Sequence, residues 1–346
     1  MRICQILSSR GQGGLERHFV DLCNTLAQRH DVIAVAHPEF GQRLSERVGF
    51  EPVDLSGWRL HPLSLMRLYG ILRKHAPDII HAQANKAAAT AGALRPVVHA
   101  KWVATVHNLK RDTSMFRGYD RVIAVSRQAA AQLRHPHVTV IYNGIEPPAL
   151  AADAGCHSLY AGLTAPVAVA VGRLVPAKGF DQLLHAWVDV PASLLIVGDG
   201  QERGRLQALI RELGLERRVR LTGFRRDAPA LMADADLMVI ASRNEGFPYV
   251  LVEGLHLHKV IVATRVPGAL DVLPAEFLVD YGEPRQMAEA IRRVLYDPDA
   301  ARDRYEPVWA FAARELTLTR MAECTEQVYR EALSAGANGP SSCPRV

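Results

Sequence analysis

Short apolar runs alternate with amphipathic stretches along most of the chain. Buried parallel strands give short, nearly continuous apolar runs, and helices that cover a sheet repeat their apolar residues every three or four positions. In the first half, this pattern predicts strands at residues 2–7, 32–36, 79–82, 101–106, 121–125 and 138–142, with helices at 15–29, 63–75, 86–94 and 127–133. Such alternation indicates a parallel sheet with helices on its faces.

The second half repeats the alternation after a segment rich in Ala, Gly and Pro. It predicts strands at residues 167–171, 193–197, 219–222, 237–241 and 260–263, with helices at 179–188, 202–213 and 229–233. Residues 302–333 predict one or two closing helices. We therefore expect an α/β protein with two Rossmann-like, doubly wound domains at residues 1–148 and 167–309, a linker at 149–166 and a disordered tail at 334–346.

The composition narrows the class of protein. The chain has 346 residues, enough for about two domains, and 49% of them are hydrophobic. Its five cysteines are widely spaced without a C-x-x-C pair, so neither a disulfide framework nor a zinc site is predicted. The apolar N-terminal run breaks at Ser8, too early for a signal peptide, and no stretch approaches a membrane span of about 20 apolar residues. These features favour a cytoplasmic protein.

Positive charge is concentrated in the first half. Residues 1–150 hold 19 Lys and Arg against 11 Asp and Glu, a net charge of +8, whereas the remainder has a net charge of −3. Such a face can meet anionic lipid, an acidic glycolipid or nucleic acid, or it can simply be solvated. Few aromatic residues accompany this charge, which argues against base stacking on nucleic acid. Much of the excess forms a basic cluster of Lys101, Lys110, Arg111, Arg117, Arg121, Arg127 and Arg134.

The most informative segment runs from Asn244 to Glu253, between a predicted strand and a predicted helix. Pro248 suits the first helical position, so Glu245 lies in the loop and Glu253 on the helix. The exposed N–H groups of a helix N-terminus suit a phosphate or sugar oxygens, and two glutamates beside them can accept hydrogen bonds from hydroxyl groups. The alternative is a pair of solvated or capping residues.

Two other loops enter helices from the ends of predicted strands. Arg173 and Lys178 lie in one of them, and a guanidinium with an ammonium suits a diphosphate, although two surface cations are the alternative. The other contains Gly13 and Gly14, which allow the backbone to approach a ligand closely. Glu16 stands where G-x-G-x-x-G requires glycine, which argues against a nicotinamide dinucleotide site.

Two histidines and one acidic motif complete the candidates. His107 ends a predicted strand and is expected to reach a ligand, whereas His81 is more doubtful and is left out of the site. Asp234 and Asp236 form a D-x-D motif, typical of metal-dependent transferases of another fold. Because this motif lies between a helix and the start of a strand, we interpret it as a structural turn and predict no metal site.

Taken in order, these segments resemble the family-4 glycosyltransferases, retaining enzymes of the GT-B fold with an E-x7-E motif that include bacterial lipopolysaccharide-core and cell-surface glycan transferases. The resemblance covers about residues 1–333. It rests on Gly13 with Gly14, His107, Arg173 with Lys178, the turn at residues 221–224, and Glu245 with Glu253.

The resemblance implies that the second domain binds a nucleotide-sugar and the first binds the acceptor. Arg173 and Lys178 would bind the diphosphate, Glu253 the ribose hydroxyls, and Glu245 the transferred sugar. His107 would contact that sugar near the reacting carbon, although Asn108 departs from the Asp or Gly usual at its position. Further donor contacts are expected at Gly13, Gly14, Gly223, Phe224, Gly246, Phe247, Pro248, Val250 and Leu251. Helices at about 310–333 would pack back on the first domain, and Asn143-Gly144 would mark the domain hinge.

These implications predict a hexosyltransferase that moves a hexosyl or N-acetylhexosaminyl unit from a nucleotide-sugar, with a UDP-sugar favoured, to a cell-envelope glycan or glycolipid such as lipopolysaccharide core. No cofactor and no metal ion are expected. Peripheral contact with the anionic inner face of a membrane is expected, and no nucleic acid partner. The alternatives are a nicotinamide-dependent oxidoreductase and a catalytically inactive GT-B binding subunit. Sugar-nucleotide epimerases and phosphorylases share related folds.

Overall fold

The chain divides into two compact units. A computed structural model describes residues 1–334 except 12, 59, 109–111 and 149–156. Residues 149–156 of the predicted linker and 335–346 of the predicted tail lie outside the described residues. The first unit comprises Met1–Ile145 and the segment that begins at Leu316, and the second comprises Glu146–Glu315. The first unit ends within a few residues of its predicted boundary, whereas the second begins at Glu146 and not at the predicted residue 167.

The first unit is built on a parallel sheet of seven strands within its described residues, in the order β3-β2-β1-β4-β5-β6-β7. The strand order reverses beside β1, so the carboxyl ends of β1 and β4 form the switch point where ligands bind in such sheets. Its elements are β1 (Arg2–Leu7), α1 (Gly14–Leu26), β2 (Asp31–Ala36), β3 (Gly49–Pro52), α2 (Pro62–His75), β4 (Ile79–Gln83), α3 (Ala84–Gly92), β5 (Lys101–Val106), β6 (Arg121–Ala124), α4 (Arg127–Ala131) and β7 (Val138–Val140).

The second unit has a parallel sheet of six strands within its described residues, in the order β10-β9-β8-β11-β12-β13, and its switch point lies between β8 and β11. Its elements are α5 (His157–Tyr160), β8 (Val167–Val171), α6 (Phe180–Trp187), β9 (Ser193–Val197), α7 (Arg203–Glu212), β10 (Val219–Gly223), α8 (Ala228–Asp234), β11 (Leu237–Ile240), α9 (Tyr249–His256), β12 (Ile261–Thr264), α10 (Pro267–Val272), β13 (Leu278–Val279), α11 (Pro284–Tyr296) and α12 (Pro298–Glu315).

The last helix, α13 (Leu318–Ser334), belongs to the first unit and packs against α1 and β5. One face of the first sheet is covered by α1 and α13, whose Phe19 and Tyr329 are fully buried. The other face is covered by α2 and α3. Burial of both faces explains why the central strands read as continuous apolar runs.

Short elements account for most differences from the predicted pattern. The edge strand β3 was not predicted, because its four residues include Gly49 and Pro52 and show no apolar alternation. Strand β13 has two residues, and the predicted linker contains α5. Helices α10 and α11 were also missed, although each begins with proline, a common first helical residue.

Close backbone contacts join residues 143–145 to the start of α13. The Ile145 N–H donates to the Leu316 carbonyl over 3.1 Å, and the Leu318 N–H donates to the Ile145 carbonyl over 2.9 Å. A Cβ atom on Gly144 would lie 2.1 Å from the Thr317 carbonyl oxygen. Only glycine therefore fits at this position, which gives Gly144 a packing role within the first unit.

Candidate active site

The loop after β8 lies on a glycine loop after β9 that the sequence analysis did not single out. The Gly172 N–H donates to the Val197 carbonyl over 3.0 Å. A Cβ atom on Gly198 would lie 1.9 Å from the Gly172 carbonyl oxygen, and one on Gly200 would lie 2.4 Å from that of Leu174. The missing side chains therefore allow the two loops to approach closely, and this contact determines where the loop carrying Arg173 lies.

Lys178 and Glu245 are brought together by the loops after β8 and β11. The Lys178 ammonium donates a short hydrogen bond to Glu245 Oε1, and the Ser242 hydroxyl donates to the same oxygen over 3.0 Å. The two charged side chains are only 20% and 17% exposed. A lysine ammonium has three N–H donors, so this ion pair leaves others for a bound anion.

Backbone contacts hold these two loops together. Gly179 has a φ of +64°, and a Cβ atom there would lie 2.1 Å from the Ala241 carbonyl oxygen. The Arg243 N–H donates to the Ala177 carbonyl over 2.8 Å. The Thr264 hydroxyl donates to the Ser242 carbonyl over 2.6 Å.

Arg173 is exposed at the carboxyl end of β8. The structure thus places the predicted cations beside the switch point of the second sheet.

The turn into α9 is tightly packed. The helix begins at Tyr249, one residue later than predicted, and Pro248 is its N-cap without a side-chain hydrogen bond to the first turn. Gly246, Phe247 and Pro248 are buried. A Cβ atom on Gly268 would lie 2.8 Å from Phe247 Cα, so this glycine lets α10 approach the turn.

The remaining predicted donor residues on α9 have different environments. Glu253 is half-buried one turn into the helix. Val250 and Leu251 have buried side chains, and the Leu251 N–H donates to the Pro248 carbonyl over 3.1 Å. The structure therefore gives Leu251 a packing role.

A second turn lies next to the glycine loop. The Gly198 N–H donates to the Gly223 carbonyl over 2.9 Å, which joins the ends of β9 and β10. Gly223 has a φ of +79°, a conformation that favours glycine. Phe224, which follows it, is 68% exposed. An exposed aromatic ring at this position can stack on a planar ligand.

In the glycine loop of the first unit, the Glu16 side chain caps the start of α1. The buried Glu16 carboxylate accepts a hydrogen bond from the Gly13 N–H over 2.8 Å and a short one from the Ser9 hydroxyl. Gly13 is the N-cap, and Gly14 is the first residue of the helix. The Gly13 N–H is therefore engaged within the protein. Glu16 has a structural role at this position, since it caps the start of the helix.

His107 lies directly after β5 and is buried against two residues that the sequence analysis missed. Its Nε2 lies 2.8 Å from Gln83 Oε1, and its ring packs edge-on against His18 with 4.6 Å between ring centroids. His18 Nδ1 lies 3.1 Å from Asn143 Oδ1. Burial holds the pKa of His107 well below its ordinary value, and it lowers the pKa of His18 to about 4.

The D-x-D motif lies at the opposite end of the second sheet. Asp236 Oδ2 accepts a hydrogen bond over 2.7 Å from the N–H of Val167, the first residue of β8. This contact lies at the amino ends of the strands, in agreement with a structural turn. Within the described ranges, no group of three His, Cys, Asp or Glu side chains is arranged to hold a metal ion.

Comparisons with known proteins identify the family. The model for Glycosyltransferase Family 4 matches residues 12–147, and that for Glycosyl transferases group 1 matches residues 161–307. The "Lipopolysaccharide core biosynthesis glycosyltransferase LpsD" of Rhizobium meliloti is 32% identical over 316 residues, which cover 85% of this chain and 88% of that protein. This chain belongs to the family-4 glycosyltransferases. The predicted family and enzyme class are confirmed, and the oxidoreductase alternative falls away.

Other similar proteins support the same conclusion. LpsE of the same organism is 28% identical over 304 residues, which cover 82% of this transferase and 86% of that protein. The crystal structure of Anabaena Alr3699/HepE in complex with UDP has a TM-score of 0.82 at 22% identity, covering 96% of this chain and all of that one. The likeness of fold confirms the predicted α/β GT-B class. The protein is thus a nucleotide-sugar-dependent glycosyltransferase.

Proposed function

We propose that this glycosyltransferase transfers a hexosyl or N-acetylhexosaminyl unit from a UDP-sugar to a lipopolysaccharide-core glycan, with retention of anomeric configuration. The proposal rests on the Lys178–Glu245 pair, which lies beside the switch point of the second sheet. The names of LpsD and LpsE support the acceptor class. The UDP bound in the HepE structure supports the donor base.

The donor contacts follow from the environments of the second unit. Arg173 is exposed and Lys178 has spare N–H donors, so both can bind a diphosphate. We assign the ribose hydroxyls to Glu253 and the base to the turn of Gly223 and Phe224. Glu245 accepts sugar hydroxyl hydrogen bonds through its second carboxylate oxygen, since Oε1 already accepts from Lys178 and Ser242.

Leaving-group stabilisation supplies the chemistry. Glycosyl transfer passes through an oxocarbenium-like state while negative charge develops on the departing diphosphate. Preorganised cations that meet this charge lower the barrier, so the reaction needs neither a metal ion nor a cofactor in this proposal. In the first unit, we assign the sugar contact to His107. Its depressed pKa makes it a neutral hydrogen-bonding group at physiological pH.

A thermal-shift panel of UDP-, GDP-, ADP- and dTDP-linked sugars tests the donor assignment. We expect the UDP-sugars to raise the Tm of the wild-type protein, because a ligand that binds only the folded state stabilises it. The same panel on the Glu253→Ala variant should show the shift reduced for all UDP-sugars alike. A larger shift with another base would contradict the UDP assignment. NMR of the product's anomeric proton then tests retention.

We also propose that the first unit docks on an anionic bilayer. An apolar docking face of Trp58, Leu60, Leu63 and Met66 is exposed before and along the first turn of α2. Trp58 and Leu60 line a cavity of about 440 Å³ together with the cation Arg95. Exposed apolar side chains beside cations suit the interfacial region of an anionic membrane. Within the described residues, no helix is long and apolar enough to cross a membrane.

The basic cluster contributes less to membrane binding than its number of Lys and Arg residues indicates. Lys101 lies 3.6 Å from Asp120, and Arg121 lies 4.0 Å from Glu331, so acidic neighbours partly neutralise it. Lys110 and Arg111 lie outside the described residues. Arg117 and Arg134 are exposed. Binding should therefore depend on the apolar docking face as well as on charge.

Vesicle sedimentation tests this docking. Wild-type protein should sediment with phosphatidylglycerol vesicles at low salt and be released as salt screens the charge. Leu63→Ser with Met66→Ser should abolish sedimentation. The control is Tyr296→Ser, because Tyr296 is 92% exposed in the second unit and its loss should change nothing. Absence of wild-type binding at low salt, or full binding by the double variant, would contradict the proposal.

A further inference from the structure

A chain of uncharged polar side chains runs through the middle of the first sheet. Gln83 Nε2 donates to Gln5 Oε1 over 3.0 Å, and Gln5 Nε2 donates to the Tyr329 hydroxyl over 2.8 Å. Gln5 and Gln83 are on β1 and β4, and Tyr329 is on α13. All three are buried. Buried polar groups without partners are costly, so their mutual pairing must be maintained.

This series of hydrogen-bonded side chains ends at His107. The direction in which its hydrogen bonds run determines which ring nitrogen of His107 carries the proton. With both amides oriented as above, Gln83 Oε1 faces His107 Nε2 at 2.8 Å and can only accept. His107 must then carry its proton on Nε2. If both amides were reversed, Gln83 would donate to Nε2 and the proton would lie on Nδ1. Because the imidazole is neutral, these two tautomers are the available states.

Contacts at the other end couple this direction to the tautomer of His81. His81 Nδ1 lies 2.6 Å from the Tyr329 hydroxyl, and His81 Nε2 lies 2.7 Å from Thr105 Oγ1. If His81 Nε2–H donates to Thr105, the Tyr329 hydroxyl must donate its one proton to His81 Nδ1. The hydroxyl oxygen can then only accept from Gln5, which is the direction described above. The tautomers of His81 and His107 are therefore coupled through Tyr329.

We infer that Gln83, Gln5 and Tyr329 are positioning residues that hold His107 in its Nε2–H tautomer. Because Tyr329 is on α13, the last helix of the chain contributes to the orientation of the histidine that contacts the sugar. The inference rests on the proposed role of His107. In this tautomer, Nδ1 is a hydrogen-bond acceptor and suits a sugar hydroxyl group. His81, which the sequence analysis left out, belongs to this positioning chain and does not contact substrate.

Nitrogen NMR of the full-length protein labelled with ¹⁵N-histidine tests the inference directly. Long-range proton–nitrogen correlations distinguish the two neutral tautomers, and the His107 signals are identified by their loss in His107→Gln. The wild-type protein should show Nε2–H for both His107 and His81. Tyr329→Phe should convert His107 to a mixture of tautomers. The control is Tyr305→Phe, because Tyr305 is equally buried and donates to a backbone carbonyl in the second unit.

Kinetics and a second variant separate positioning from folding. Tyr329→Phe should lower kcat about tenfold with the donor KM unchanged, since the lost interaction acts on the reacting sugar. Gln83→Glu still accepts from His107 Nε2–H, so it should preserve the Nε2–H tautomer. An Nδ1–H signal in the wild-type protein, or an unchanged tautomer in Tyr329→Phe, would overturn the inference. The NMR result does not depend on transferase activity, so it stands apart from failure of the proposed function.

Discussion

In the first unit, the side chains of the candidate site lie within the sheet, and in the second unit they lie on the loops. His107 is reached through Gln83 and Gln5, whose side chains are uncharged, buried and carried by the strands themselves. Lys178 and Glu245 are charged, partly exposed and carried by loops beyond the strand ends. Both sets lie near the switch point of a doubly wound parallel sheet.

This difference shows that the same topology can hold functional side chains in two ways. In the second unit, glycines allow loops to approach one another and ionic groups meet outside the core. In the first unit, polar residues replace apolar ones at central strand positions and are satisfied by one another. The buried polar residues of the first unit are expected to respond to acid, and the loops of the second unit to loss of charge or to an added Cβ atom.

The largest effect should come from loss of charge in the second unit. Lys178→Ala should lower kcat/KM by about 10³-fold, equivalent to about 4 kcal/mol, because the ammonium would no longer stabilise the departing diphosphate. The control is Lys74→Ala, which removes an exposed lysine 2.8 Å from Glu51 in the first unit. Steady-state kinetics and thermal unfolding on both variants provide the measurement. Wild-type turnover in Lys178→Ala would remove this residue from the site.

Acid should affect the first unit next most strongly. Burial lowers the pKa of His18 to about 4 and that of His81 to about 3, and it also depresses the pKa of His107. The unfolded chain binds protons at these sites near pH 6.5 and the folded chain does not, so stability is complete above that pH and falls below it. Between pH 6.5 and 5.5, we expect a loss of about 1 kcal/mol per histidine, or about 3 kcal/mol.

Hydrogen exchange locates that loss within the molecule. Peptides from β4 and β5 should lose protection between pH 6.5 and 5.5, after correction for the intrinsic pH dependence of exchange. Peptides from β8 and β9 provide the comparison within the same sample. Equal loss of protection in both sheets would show that the acid response does not originate in the buried histidines.

An added methyl group should disrupt the loops of the second unit. Gly198→Ala would place Cβ 1.9 Å from the Gly172 carbonyl oxygen at a φ of +145°, so we expect a loss of about 2 kcal/mol or more and weaker donor binding. Gly204→Ala is the control, because nothing lies within 4 Å of its Cβ position on α7. That change should be neutral or stabilising. Urea unfolding measures both, and equal stabilities would contradict the close packing of these loops.

The smallest effect should come from a backbone conformation in the first unit. Ala84 follows Gln83 directly and has a φ of +66°, a region that is unfavourable for a residue with a Cβ atom. Ala84→Gly should therefore stabilise the protein by about 0.5 kcal/mol, as the relieved strain slightly exceeds the added chain entropy. Ala87→Gly, in the same helix, should instead destabilise it by about 1 kcal/mol. Chemical denaturation of the pair measures the difference.

The sequence predicted the long elements and the charged part of the site, because both depend on local signals. Strands such as β1, β5 and β9 agree within a residue with the apolar runs, since burial of both faces leaves a continuous pattern. Lys178 and Glu245 could be predicted as candidates because loops beyond strand ends carry recognisable residues. Leu251 was included with them, yet its side chain packs in the core and its N–H is engaged.

Gln83 and His18 were missed for a physical reason. A single polar residue within an apolar strand gives no local pattern, and its meaning depends on which buried polar group lies beside it. Tyr329 is 248 residues from His81 along the chain, yet their side chains share a hydrogen bond. No spacing rule within a strand or helix connects such residues. The sequence indicated them only through the polar residues Gln5, His81 and Gln83, which lie within otherwise apolar strands.

By itself, the sequence determined the alternation of strands and helices, the two sheets that follow from it, and the family, since these rest on periodicity and on short motifs. Only the tertiary structure decided that Lys178 pairs with Glu245 and that glycines after β9 allow close contact with the loop after β8. It also decided that His107 is buried at the end of a series of hydrogen-bonded polar side chains. The reason is that hydrogen bonds and close approaches act through space, and parallel sheets bring together residues that lie far apart in the chain.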